Sequence, residues 1–178
     1  MNDDGGWAEP DRDPRESIEV GPGERAVLGA YLDRYRLTFE LKCEGLTVAQ
    51  LATRAVPPSM LSLLGLVRHL ARVEHHWTRR VLEGRAELPR LYRTGEEDVE
   101  FTGAVPDDDV AAEAWAAWRR EVAHAREVYD RLDLSAPVHL FERQSEAREV
   151  VVHLIEEYAR HAGHADLLRE RLDGRTGA

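Results

Sequence analysis

Cysteine is nearly missing from this chain: Cys43 stands alone among 178 residues. One cysteine closes no internal disulfide and builds no thiolate metal cluster, so a reducing compartment is expected. Lysine is just as scarce, Lys42 being the only one among 24 basic residues; the arginine excess has the flavour of a GC-rich coding sequence. No apolar run approaches the roughly 18 residues of a membrane span. The first residues are acidic and polar, unlike a secretory signal. A cytoplasmic protein is the resulting expectation. Positive charge is also short, with 24 Lys and Arg against 34 Asp and Glu and a net charge of −10. That balance excludes the basic footprint of a nucleic-acid binder and disfavours an anionic membrane surface. Alternation with period two is absent, which predicts little or no sheet.

What remains is ordinary globular material, 43% apolar and 33% charged, in a length suited to one domain. Residues 1–23, MNDDGGWAEPDRDPRESIEVGPG, are polar, rich in Gly and Pro, and aperiodic. They read as a surface arm. Residues 24–174 carry four helical periods. The first runs from about 24 to 44 with Leu28, Tyr31, Leu32, Tyr35 and Phe39 on one stripe, and Gly45 stops it. The second follows Pro57 and Pro58, with Ser59 as the cap, and runs to about 83 before Gly84. The third begins after Pro106 with an acidic first turn and ends before Pro137. The fourth spans about 146 to 172, with Gly174 behind it. Four amphipathic helices predict an all-α four-helix bundle, with a long connection of residues 84–106 between the second and third.

The fourth helix, VVHLIEEYARHAGHADLLRE over residues 151–170, carries an oddity. On a wheel of about 100° per residue centred on Leu154, His161 falls mid-stripe and Glu157 at its edge. Glu156 points to solvent, and His153 and His164 lie further round. A buried carboxylate without a partner costs several kcal/mol, so Glu157 must be compensated. An arginine from a neighbouring helix, Arg68 or Arg72, is one answer. The other is a metal, because side chains four apart on a helix can grip one ion. A third ligand is then needed, and the second helix offers His69 or His76, about 10 Å apart along the axis. Two imidazoles and a carboxylate make an N/O site with open positions, suited to zinc and also to nickel, iron or manganese.

VPPSMLSLLGLVRHLARVEHHW, followed some 80 residues later by HLIEEYARHAGHADLLRE, resembles the DinB/YfiT-like superfamily of metal-binding four-helix bundles. The likeness covers about residues 24–172, and within it the chain is similar to an actinobacterial branch of unknown function. The resemblance implies one histidine ligand from the second helix, matched by His69, and a pair from the last helix whose second member is matched by His161. Glu157 stands where the superfamily often has histidine. The related mycothiol-dependent maleylpyruvate isomerases carry glutamate there, so ligand capacity is kept. The resemblance further implies a low-molecular-weight thiol such as mycothiol and a small-molecule electrophile, joined by S-transfer or isomerisation. In that scheme Glu74, near the inward face of the second helix, would orient a ligand, and His164 would transfer protons at the site mouth. A metal-dependent hydrolase and a non-enzymatic metal-binding stress or interaction protein are the alternatives. Homodimerisation through flat helical faces is compatible with the bundle, though no residue demands it.

Overall fold

A computed structural model of the chain describes residues 13–95 and 97–176. Residues 1–12 of the expected arm lie outside the described residues. The fold is mostly helical. Its elements are α1 (Glu24–Cys43), α2 (Val48–Ala52), α3 (Leu63–His75), α4 (Asp108–Arg131) and α5 (Ala147–Asp173). Two small antiparallel hairpins join them: β1 (Arg93–Thr94) with β2 (Glu97–Asp98), and β3 (Pro137–Leu140) with β4 (Arg143–Glu146). A 3₁₀ turn, Pro14–Ser17, packs on α1. Strands of two to four residues are too short to show alternation, so the hairpins leave no periodic trace. Among the described residues no helix is long and apolar enough to cross a membrane.

Helix ends follow local chemistry. Gly45, at φ +74°, follows α1 in the left-handed region that glycine enters without steric cost. The α3 cap is Ser62 rather than Ser59, its hydroxyl accepting the Gly65 N–H at 3.1 Å. Ser59 is already committed to a turn in which its oxygen accepts the Leu61 N–H at 3.2 Å. Asp107 caps α4 by accepting from Asp109 and Val110 at 2.9 and 3.1 Å. Beyond His75, α3 continues as a π-helical segment, His76–Leu82. The extra residue in such a turn rotates everything after it, and the even wheel drawn through the sequence missed this shift.

The core is built around α3, which packs on α4, on α5 and on the short α2. Leu63, Leu64, Leu66, Val67, Leu70 and Ala71 expose no surface at all. At about 1.5–3 kcal/mol for each large side chain, this one helix supplies a large share of the burial energy. α1 pairs with α5 on the other side. Tyr31, expected on the α1 stripe, is instead half exposed. One polar network crosses the interior with a residue from each of α1, α3, α4 and α5. The Arg36 guanidinium forks onto both Glu74 oxygens at 2.8 and 2.9 Å. The Tyr158 hydroxyl donates to Glu74 Oε1 at 2.8 Å and accepts from Trp118 Nε1 at 2.8 Å. Every member is satisfied, which is the condition under which a buried network is tolerated.

Candidate metal centre and adjoining cleft

Helix α5 presents His153, Glu157, His161 and His164 at intervals of three and four residues, while α3 brings His69 across to meet them. Glu157 Oε2 lies 3.5 Å from His69 Nε2 and 3.3 Å from His161 Nε2. One ligand atom from each of the three residues falls within 4.8 Å of the others. A tetrahedral zinc with bonds of about 2.0–2.1 Å sets its ligand atoms about 3.3–3.4 Å apart, so the observed spacings suit such an ion. His161 is buried, and His69 and Glu157 are largely so. Among the described residues no arginine pairs with Glu157. Its partners are His69, His161 and His153, whose Nε2 is 3.4 Å from Oε1.

The far nitrogens of both imidazoles are engaged. His69 Nδ1 lies 3.4 Å from Glu100 Oε1, and His161 Nδ1 lies 3.2 Å from His164 Nδ1. With protons on these Nδ1 atoms, both Nε2 lone pairs face the Glu157 oxygen. Three acceptors turned on one another repel unless a cation or added protons stand between them. His69 Nε2 is buried, and beyond its 3.5 Å approach to Glu157 Oε2 it has no partner, as an ion ligand would be. The donor set therefore fits a divalent ion. Charge follows the same pattern. Hydrogen bonds from His161 and His69 hold the Glu157 carboxyl well below the usual carboxylate range. Burial pushes His69 down, but its bonds to Glu100 and Glu157 outweigh this and raise it. Burial likewise raises Glu100, and its bond to His69 and the nearby Arg72 reverse that.

Glu100 has no period to betray it, sitting in the loop after β2. It is 4% exposed, its carbonyl accepts from Arg68 Nε at 3.0 Å, and its carboxylate lies 3.3 Å from Arg72. The next residue, Phe101, stacks on the His69 ring at 5.5 Å. Only the fold joins this loop to α3, 31 residues earlier. Glu74 and His164 sit differently from the roles foreseen for them. Both Glu74 oxygens belong to the Arg36 and Tyr158 network, and His164 bonds His161. Neither lines the cleft beside the centre. Burial, with His161 and Arg160 nearby, lowers the His164 pKa.

That cleft holds about 280 Å³, and His69 and Glu157 are among its lining residues. The π-helical turn brings His76 and Trp77 into its wall, where the Trp77 ring meets Phe141 from the β3–β4 turn and His153. His75 is buried and also lines it. Burial, together with the charges of Arg80, Arg90 and Arg72, depresses the His76 pKa to about 4. Cys43 is remote from all this, and burial pushes its thiol up to about 12, leaving it inert.

The family description of mycothiol-S-transferase matches residues 27–174. The chain belongs to that family. Mycothiol-S-transferases are a DinB/YfiT-like family, and the name points to thiol chemistry of the mycothiol kind. No curated protein matches. A conserved Enterococcus faecalis protein of known crystal structure has the same fold, with a TM-score of 0.59 at 21% identity over 86% of this chain and 99% of that one.

Proposed function

We propose that this mycothiol-S-transferase family member is a metal-dependent enzyme on a DinB-type four-helix bundle. Its reaction joins a small thiol, mycothiol or a close equivalent, to a small electrophile, by S-transfer or by the reversible addition that isomerises a double bond. The observation that carries the reading is the meeting of His69, Glu157 and His161, the first two of which also line an open cleft. Zinc suits two imidazoles and a carboxylate best, with nickel, iron or manganese as other ions the set accepts. When bound, a divalent ion supplies an open position that favours a thiol sulfur as thiolate near neutral pH.

The chain's own residues supply the rest. Glu100 holds His69 through Nδ1, and His164 holds His161 in the same way, so each ring keeps its Nε2 turned inward. His153 steadies Glu157 from its second oxygen. The cleft walls exclude bulk water from the approaching carbon, and His76, held uncharged, leaves a neutral ring beside it. The thiol proton leaves to solvent or to a cleft histidine as the carbon–sulfur bond forms.

The test is metal content and thiol consumption, measured on purified protein and on His161→Ala. The proposal expects about one ion per chain in the parent, with most of it lost in the variant along with thiol-dependent turnover. Equal metal content in the two proteins would remove the centre.

A further inference from the structure

The cleft has a character that a thiol-transfer centre does not require. The chain as a whole carries −10, yet the cleft is framed by two guanidinium groups, Arg72 and Arg90, and its one acid is Glu157. Arg72 leans on Glu100 at 3.3 Å. Arg90 forms no ion pair with a described residue and stands exposed at the edge. The positive field reaches inward, since Arg80, Arg90 and Arg72 all act on His76. The apolar wall is aromatic. Trp77, Phe141 and His153 meet edge to face, with ring centroids 4.7 to 5.5 Å apart. Phe141 keeps 65% of its surface open, held at φ +46° in the hairpin turn. An aromatic ring displayed this way beside a pocket is surface waiting to be covered. His75, buried in the same wall, has an Nδ1 with no partner.

We propose that the cleft takes a planar electrophile bearing a carboxylate, its π face against Phe141 and Trp77 and its carboxylate toward Arg90. This names the second substrate of the transfer reading above and rests on it. In the reaction the thiolate forms a carbon–sulfur bond at the electrophilic carbon, the leaving group departs with the bonding pair, and the thiol proton passes to solvent. The carboxylate takes no part in the bond changes and serves to orient the carbon. Planarity follows from the aromatic walls and the negative charge from the exposed Arg90 guanidinium, which pairs with no described residue.

Two experiments on the full-length protein test it. In the first, the protein is stripped of metal so that a carboxylate cannot simply ligate an ion, and 4-methylbenzoate is compared with 4-methylbenzamide by ligand-observed NMR. The carboxylate should bind about five-fold more tightly. Arg90→Gln should bring the ratio toward one, and Arg90→Lys should keep most of it. Phe141→Ala should weaken both probes. Equal binding, or a preference that survives in Arg90→Gln, overturns the proposal. In the second, zinc-reloaded protein is given 4-(chloromethyl)benzoate or its amide with N-acetylcysteine or its amide, and chloride release is followed. The proposal expects the charge preference to track the electrophile. If it tracks the thiol, the arginine edge belongs to the thiol and the proposal falls. If the metal-free preference holds but neither electrophile turns over, the transfer reading has failed and the anion-binding cleft stands without it.

Discussion

Replacing Glu100 tests the centre without touching a ligand. In Glu100→Gln the side chain keeps its size, and the amide oxygen still accepts from His69 Nδ1, but the negative charge is gone. The backbone carbonyl that receives Arg68 at 3.0 Å is untouched, so the loop keeps its anchor. Two contacts weaken: the 3.4 Å bond to His69 and the 3.3 Å pair with Arg72. The first makes the imidazole a better donor to an ion, and losing such a partner costs about ten-fold in metal affinity, near 1.4 kcal/mol. The second is partly exposed, so its loss costs fold stability only about 0.5 kcal/mol. Glu100→Ala goes further, stranding His69 Nδ1 and opening a gap beside Phe101. It should cost about 2 kcal/mol in stability and about 100-fold in zinc affinity. Competition against a chromogenic chelator reads the affinity, and urea denaturation of the metal-free protein reads the stability. An unchanged zinc affinity in Glu100→Gln would show that His69 is not an ion ligand oriented by this carboxylate.

Other predictions follow from single residues. A Cβ at Gly65 would meet the Phe101 ring at 2.8 Å and the Ser62 hydroxyl at 3.2 Å. Gly65→Ala should therefore cost about 1–3 kcal/mol in a denaturant titration and loosen zinc by displacing the ring stacked on His69. Tyr158→Phe leaves Glu74 Oε1 and Trp118 Nε1 each short of a partner; a loss of about 1–3 kcal/mol in stability with unchanged zinc affinity is expected. His76 has a folded-state pKa of about 4, below its ordinary 6.5. The unfolded chain then binds the proton more readily, so this contribution to stability is full above pH 6.5 and is lost as the pH falls toward 4. Because the ring is partly solvated, the loss by pH 5 is about 1 kcal/mol. In His76→Phe the slope of stability against pH should flatten, and an unchanged slope in urea titrations at several pH values would count against the burial argument.

The sequence displays what repeats along one helix. Glu157 and His161 sit four apart, so their common face was plain, and His69 lies on a regular stretch of α3 where a wheel still holds. His76 was offered beside His69 as a third ligand, but it opens the π-helical segment and lines the cleft wall instead. Glu100 and Phe141 could not be found at all. Each sits at a turn or loop whose distance from the centre is closed only by packing, and neither belongs to a pattern with a period. Glu74 illustrates the opposite error. Its inward direction was legible, but the wheel could not say that Arg36 from another helix would occupy both its oxygens.

The π-helical stretch His76–Leu82 has a bearing on ancestry. It is what one inserted residue leaves behind when the helix on either side is already locked in place. A relative lacking that residue would present the chain beyond its counterpart of Leu82 turned by about 100°, while its counterpart of His69, upstream, would not move. Descendants of one scaffold can thus trade the shape of the substrate wall while the ion ligands stay fixed. Alignments that cross this point without a gap will pair the wrong wall residues.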